Sequence, residues 1–200
     1  MTIRNWLGSI LVVLAAVPSA GIAVWYGIRF LPYLNEIHRV SERGNATADG
    51  VRDTFYPVAV AGETKLGLRQ YATRQAYQSL VLQGGRETQV AWQLNTLLWY
   101  VASFLHLTDD EIFGVWVDCS TYGCGRGLSE VAQKYLGNDL AHLTPWQCAQ
   151  LVAVVKAPSI FVPGSERGDR KARQIFERYN LQLEQMRGTA QPLQMIPPQP

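Results

Sequence analysis

The sequence of 200 residues is poor in charge and in cysteine, and both shortages exclude classes of protein. Lys and Arg total 18 against 16 Asp and Glu, so the formal net charge at pH 7 is only +2. This balance, with no basic stripe interleaved with aromatic residues, argues against a nucleic-acid partner. The three cysteines are too few for a zinc site of finger-like spacing. We therefore expect neither a nucleic-acid surface nor a structural metal site.

The cysteines still carry information about the compartment. Cys119 and Cys124 flank residues 120–123 and could close a small disulfide in an oxidising compartment, or remain free thiols. Cys148 lies on the apolar side of a predicted helix, where we expect a buried thiol. The sequence leaves the redox state of the first two cysteines open.

Charge is absent altogether from residues 6–28. At 1.5 Å per residue this run would form a helix of about 34 Å, enough to cross a hydrocarbon core of about 30 Å. We predict a transmembrane anchor over residues 1–34, and the alternative is a signal peptide cleaved after Ala20. Arginines flank the run on both sides, so the positive-inside rule leaves its orientation open.

The rest of the chain is predicted to be helical. A polar stretch with Gly44 and Gly50 predicts a linker over residues 35–54, and residues 54–62 are expected to be extended or irregular. We predict one all-α domain over residues 55–187, with little sheet, followed by a disordered proline-rich tail over 188–200. Apolar residues recur with a helical period in six segments of this domain, 65–82, 90–105, 108–119, 129–136, 145–156 and 169–186.

The clearest helix signal lies in residues 143–159. Thr144 is a predicted N-cap, Pro145 occupies the first helical position, and Gln147 completes a capping box. Pro158 prevents continuation of the helix. A second capping box begins at Thr108.

Residues 143–159 closely resemble one family, the peptidoglycan glycosyltransferases of class A penicillin-binding proteins and monofunctional murein polymerases. Residues 110–113 resemble the family's D-E-I-L, residues 123–125 its G-x-G, and residues 135–137 its Y-F-G. The resemblance extends over roughly residues 55–180. It implies a lysozyme-like helical domain that polymerises lipid-linked disaccharide-peptide into glycan strands during cell-wall synthesis. It also implies a single-pass protein of the bacterial inner membrane whose domain faces the periplasm or exterior.

The resemblance assigns the catalytic base to Glu63. Residues 56–64 resemble the family's segment that ends in E-D, whose glutamate removes the proton from a sugar 4-hydroxyl. A carboxylate serves best as a base when apolar surroundings raise its pKa towards neutrality. Thr64 replaces the family's aspartate, and the following F-x-x-H is missing. The alternative is that Glu63 is an exposed carboxylate near a helix N-terminus, where the helix dipole favours it.

A second group of residues is implied to bind substrate. Arg74 lies where the family has R-A, and residues 84–93 resemble G-G-S-T-x-x-Q-Q with one residue inserted. The family's R-K-x-x-E, whose cations would stabilise a leaving pyrophosphate, has no counterpart here. Arg86, Glu87 or Arg126 could substitute for this motif from elsewhere, or all three could be solvated surface charges. The implied substrate-binding residues are Arg74, Arg86, Glu87, Thr88 and Gln93.

The resemblance also implies partners and leaves three functions open. The implied partners are a lipid-linked precursor, a glycan strand, the membrane and other cell-wall synthesis proteins. The family often uses a divalent cation such as Mg²⁺, although no ligand set in this sequence demonstrates one. Besides an active transferase, the protein could be an inactive relative that binds precursor, glycan or a wall-synthesis partner. A lysozyme-like lytic enzyme is a third hypothesis, since that chemistry can also rest on one glutamate.

Overall fold

Helices account for all regular secondary structure in the described part of the chain. The protein is described here from a computed structural model, over residues 3–121 and 123–189 and without the side chains of 3–15 and 188–189. The start of the predicted anchor and most of the predicted tail therefore lie outside the described residues. The all-α prediction is confirmed within the described ranges, which contain α1 Ile3–Arg29, α2 Leu34–Ala48, α3 Arg52–Glu63, α4 Lys65–Ala76, α5 Gln89–His106, α6 Asp109–Cys119, α7 Gly127–Leu136, α8 Pro145–Lys156 and α9 Glu166–Thr189.

Shorter helical segments connect several of these elements. Single 3-10 turns occupy Leu31–Tyr33, Asp49–Val51 and Leu140–His142, and a π-helical segment, Tyr77–Leu82, extends α4. No helix within residues 3–121 and 123–189 combines the length and mean hydropathy of a membrane span.

The caps expected from the sequence are formed. Thr144 Oγ1 accepts a hydrogen bond from the Gln147 N–H at 3.3 Å, and Gln147 Oε1 accepts one from the Thr144 N–H at 2.9 Å. Thr108 and Glu111 form the same reciprocal pair at the start of α6. These caps satisfy N–H groups that have no partner inside the helix, so they position α6 and α8 locally.

The predicted linker over residues 35–54 is wrong, because this segment forms α2, a 3-10 turn and the start of α3. Gly44 in this segment allows two helices to pack closely and does not provide flexibility. A Cβ atom on Gly44 would lie 1.9 Å from the carbonyl oxygen of Gly114 in α6, and one on Gly114 would lie 2.2 Å from the carbonyl oxygen of Ser41. The backbones of α2 and α6 therefore cross in direct contact. Small residues that look like a linker in the sequence form a helix crossing.

The expectation of an extended or irregular segment over residues 54–62 is also wrong. These residues form most of α3, although Pro57 lies inside the helix and lacks an N–H donor. Phe55, Val58 and Ala59 are fully buried, and α3 packs against α8 and α9. Burial of this face offsets the cost of the internal proline.

Helix α5 has the expected position but turns the unexpected face inward. Apart from the half-buried Leu98, the leucines and valines that set its helical period are at least half exposed, for example Leu97 at 57% and Leu105 at 75%. The buried residues are Asn95, Trp99, Ala102 and Ser103. Periodicity thus predicted the helix correctly without identifying which side meets the core.

Arg69 of α4 links the end of α5 to the start of α6. Its guanidinium is nearly buried and donates to the carbonyl oxygens of Ser103 at 2.9 Å and Leu107 at 3.0 Å. It also donates to the Asp109 carboxylate at 2.9 Å and lies 4.6 Å from the centroid of the Phe104 ring. Its buried donors are thus satisfied by carbonyl oxygens at the C-terminal end of α5 and by the Asp109 carboxylate at the start of α6.

This arrangement predicts a loss of stability in acid. The hydrogen bond from Arg69 lowers the pKa of Asp109, and Lys65 adds to the effect. A carboxyl with a lowered folded-state pKa stabilises the fold above its unfolded pKa of about 3.9 and loses this contribution as the pH falls through the folded value. We expect the urea concentration at the unfolding midpoint to decrease once the pH drops below about 4. The Asp109→Asn variant should be less stable than wild type at pH 7, and its urea midpoint should decrease less on acidification. An equal decrease in both proteins would assign the effect to other carboxyl groups.

Candidate functional site

Glu63 is placed by the junction between two helices. It is the last residue of α3, and Thr64 turns the chain into α4 with a φ of 64° and a ψ of 159°. Positive φ is uncommon for a β-branched residue, so the turn is a strained feature held by its surroundings. Thr64 Oγ1 accepts a hydrogen bond from the Gly67 N–H at 3.1 Å. The turn leaves the Glu63 carboxylate beside the N-terminus of α4, with Oε2 only 3.8 Å from where a Cβ of Gly67 would lie.

The Glu63 side chain is sheltered and paired. Only 17% of it is exposed, and Oε1 lies 3.2 Å from Nζ of Lys156, whose own side chain is 27% exposed. Lys156 ends α8, which packs against α3. The alternative from the sequence is therefore correct that Glu63 lies at a helix N-terminus and wrong that it is exposed.

Further cations lie close to this pair. Burial lowers the pKa of Lys171 on α9, the positive charges of Lys156 and Arg178 lower it further, and the Glu63 carboxylate opposes them. Lys171 therefore lies within electrostatic range of both members of the pair. A multiply charged anion would be attracted to a place where several cations surround one carboxylate.

Tyr71 and Arg74 on α4 complete this region. The Tyr71 hydroxyl donates to the carbonyl oxygen of Val155 at 3.5 Å, and the Arg74 guanidinium lies 5.2 Å from the centroid of the tyrosine ring. Burial raises the pKa of Tyr71, while Arg74 lowers it and Glu63 raises it. We name this group the Glu63 recess, defined by Glu63, Tyr71, Arg74, Lys156 and Lys171.

Two of the residues implied to bind substrate share a cavity. Arg74 and Gln93 line a pocket of about 240 Å³ between α4 and α5, which we call the Arg74 pocket. Arg74 belongs to both this pocket and the Glu63 recess, so the two adjoin. The remaining lining residues combine amide and hydroxyl groups with apolar surface, and they are Gln70, Trp92, Thr96, Leu97 and Tyr100.

The other three implied substrate-binding residues lie elsewhere. Arg86 is exposed in the turn before α5, and Thr88 is the N-cap of α5, where its Oγ1 accepts from the Ala91 N–H at 3.3 Å. Glu87 turns inward and accepts hydrogen bonds from Tyr77 at 2.8 Å and from Asn95 at 3.1 Å. Thr88 and Glu87 thus stabilise the fold around α5, and the structure does not bring these three residues together with Glu63.

The buried contact with Glu87 changes the pKa of Tyr77. Burial raises the pKa of Tyr77 to about 12, and the Glu87 carboxylate contributes to the rise. Arg29 of α1 lies 3.9 Å from the same carboxylate. Glu87 therefore connects α1, the π-helical segment and α5.

A polar cleft lies next to the disulfide, between the end of α4, the π-helical segment and residues 121 and 123–126. Cys119 and Cys124 are bonded, with an S–S distance of 2.08 Å, so of the two alternatives left open by the sequence the structure has the disulfide. Cys124 and Arg126 line this cleft. The cleft has a volume of about 590 Å³, and its other lining residues are Gln75, Gln78, Ser79, Gln83, Gly84, Thr121 and Gly123.

The cluster of potential metal ligands that the described residues bring together does not suit a divalent cation. Their one group of three potential ligands is Asp118 with Cys119 and Cys124, and the two sulfurs are already bonded to each other. Asp118 accepts from Arg43 at 3.0 Å and from the Gly125 N–H at 2.8 Å. Mg²⁺ prefers several oxygen ligands, and Glu63 has cationic neighbours instead.

Sequence reasoning missed the roles of Lys156, Lys171 and Tyr71. In the sequence, Lys156 only suits the C-terminal end of a helix dipole. No local signal could have paired it with Glu63, since the two come together only because α3 packs on α8.

Comparisons with models of protein families, with curated proteins and with solved structures found no match to this chain.

Proposed function

We propose that the protein is a membrane-anchored peptidoglycan glycosyltransferase-like enzyme that polymerises lipid-linked disaccharide-peptide into glycan strands. The observation that supports this proposal is the Glu63 recess, where the residue implied to be the base pairs with Lys156 at 3.2 Å. Lys171 lies within electrostatic range of this pair, and Arg74 contacts the neighbouring Tyr71 ring. The adjoining Arg74 pocket and polar cleft offer hydroxyl and amide groups suited to a glycan. The helical domain would have the lysozyme-like fold that the resemblance implies.

The recess suggests how the chemistry would be divided. Oε1 of Glu63 contacts Lys156, so Oε2 remains to take the proton from the attacking sugar hydroxyl as its oxygen bonds to the anomeric carbon. The bond from that carbon to the pyrophosphate breaks, and the pyrophosphate leaves with the electron pair. Lys156, Lys171 and Arg74 would stabilise its charge. These cations come from α4, α8 and α9, and they would replace the missing R-K-x-x-E.

The proposed location follows from the same considerations. Residues 1–34 would form a single-pass anchor in the bacterial inner membrane, because residues 6–28 carry no charge. The domain would face the periplasm or exterior, where the Cys119–Cys124 disulfide would persist. Its partners there would be the lipid-linked precursor, the growing glycan and other cell-wall synthesis proteins.

A second candidate function is an inactive relative that binds precursor, glycan or a wall-synthesis partner. The observation that favours it is the position of Arg86, Glu87 and Thr88, which lie outside the recess. In addition, Lys156 already occupies one oxygen of Glu63.

The proposed function is tested by replacing Glu63. We expect the full-length protein in detergent to convert fluorescent lipid-linked precursor into glycan chains, and Glu63→Gln to lower the rate at least about 100-fold, because the amide cannot accept the proton. Chain formation is measured by gel electrophoresis. The matched control is Glu166→Gln, which removes an exposed carboxylate at the start of α9 and should leave the rate unchanged.

The same samples separate the two candidate functions. Equal rates for Glu63→Gln and wild type would contradict the assigned role of Glu63. No product from the wild type, together with saturable binding of the fluorescent precursor, would replace the enzyme by the inactive relative.

A further inference from the structure

The outer side of α5 is an unusual surface. We call it the α5 apolar face, and no Asp, Glu, Lys or Arg occurs anywhere between Gln89 and His106. Its large side chains are each at least half exposed, and they are Val90, Leu94, Leu97, Val101, Phe104 and Leu105. Monomeric proteins in water rarely expose a contiguous apolar surface of this extent, so the face is expected to be covered.

The polarity of α5 is reversed relative to a helix on a water-soluble domain. Asn95 and Ser103 face the interior, where Asn95 donates to Glu87 at 3.1 Å and the Ser103 carbonyl accepts from Arg69 at 2.9 Å. Apolar residues form most of the outer side of α5, although Gln89 and Gln93 are also exposed and Trp99 is buried. A helix that satisfies buried polar groups inward and has an uncharged, mainly apolar outer side suits hydrocarbon surroundings.

The α5 apolar face is continuous with the C-terminal half of α1. Trp25 donates from Nε1 to Asn95 Oδ1 at 2.7 Å, and Trp99 donates from Nε1 to the carbonyl oxygen of Arg29 at 3.0 Å. These bonds hold the two helices side by side. Next to them is an apolar groove of about 470 Å³, lined by Ser19, Ile22, Ala23, Trp25, Tyr26, Leu98, Val101, Ala102 and Leu105.

Helix α1 extends the same surface on its own side. Val17, Ile22, Val24 and Ile28 are each more than half exposed. They belong to the uncharged run of residues 6–28, which the proposed function places in the membrane.

We propose that the α5 apolar face lies in the lipid bilayer beside α1 and contacts acyl chains directly. The inference rests on the anchor of the proposed function and extends it to a helix that no span prediction includes. Lipid is the occupant favoured by the structure, since the face is uncharged and directly continues the surface of α1. The Arg74 pocket then opens at the edge of the bilayer, because Leu97 belongs to both the pocket and the face.

The test places environment-sensitive fluorophores on single introduced cysteines in the full-length chain, in a Cys148→Ala background. The protein is reconstituted in phosphatidylcholine vesicles with brominated acyl chains, which quench a fluorophore only on contact. Leu97→Cys and Leu105→Cys report on the α5 apolar face, and Val17→Cys reports on the anchor. The matched control is Leu181→Cys on α9, a leucine that is 58% exposed. Circular dichroism of each labelled variant verifies that it is folded.

We expect quenching at positions 97 and 105 at least half as strong as at position 17, and none at position 181. Quenching at position 17 alone would overturn the inference and leave the anchor intact. No quenching at position 17 would instead overturn the anchor, and the inference with it. Disulfide cross-linking of two Leu97→Cys chains, without quenching, would identify a second copy as the occupant and overturn the inference.

Discussion

Replacing Gly114 by alanine is expected to lower the free energy of unfolding by about 3 kcal/mol, because α2 and α6 cross with no room for a methyl group. The new Cβ would lie 2.2 Å from the carbonyl oxygen of Ser41 and 2.9 Å from the amide of Asn45. A backbone oxygen cannot rotate away, so the helices must separate. This pair has the most extensive contact among the described helices, so separation would cost packing along much of the core.

The measurement is denaturant unfolding followed by far-UV circular dichroism. Gly27→Ala in α1 is the matched control, since nothing lies within 4 Å of its added Cβ. Alanine is favoured over glycine in a helix by up to about 1 kcal/mol, so this control should not destabilise the protein. If both variants unfolded at the same denaturant concentration, the close crossing would be wrong.

Arg69→Met is expected to cost about 2–4 kcal/mol of stability, because it removes a charged donor from the buried Leu107 carbonyl oxygen and breaks two further hydrogen bonds. Methionine fills a similar volume but cannot donate to the Ser103 and Leu107 carbonyl oxygens or to the Asp109 carboxylate. The Leu107 carbonyl is the most affected, since it lies beyond the end of α5.

Lys65→Met provides a control at the same carboxylate. Lys65 lies 3.4 Å from Asp109 Oδ2, but its side chain is 62% exposed, so its removal should cost no more than about 1 kcal/mol. Both variants are compared by denaturant unfolding at pH 7. Equal losses would show that charge at Asp109 matters and that the buried carbonyl contacts do not.

Local sequence signals predicted the helices well because a cap or an apolar period acts within one helix. Thr108 and Thr144 begin their helices as expected, with reciprocal capping bonds. The errors arose where distant segments determine conformation. Gly44 suggests a linker when considered alone, and it is a packing residue only because Gly114 lies opposite.

In the candidate site, too, contacts between distant segments could not be predicted from the sequence. Of the residues implied by the resemblance, Arg74 and Gln93 share a pocket, and Glu63 lies near Tyr71, whose ring Arg74 contacts. Their partner Lys156 could not be predicted, because its contact with Glu63 depends on packing between α3 and α8. The sequence also could not predict which face of α5 is buried, since a helical period does not indicate whether the apolar face contacts the protein core or another apolar environment.

Cys148 gives the protein an intrinsic reporter of its own opening. It is the one free thiol within the described residues, it is completely buried in α8, and burial raises its pKa to about 12. A thiol reagent therefore reacts only with molecules in which α8 has separated from the core. The rate of alkylation at neutral pH measures how often that happens. Since α8 also carries Lys156, any ligand held in the Glu63 recess should slow the reaction, so binding can be detected before its product is known.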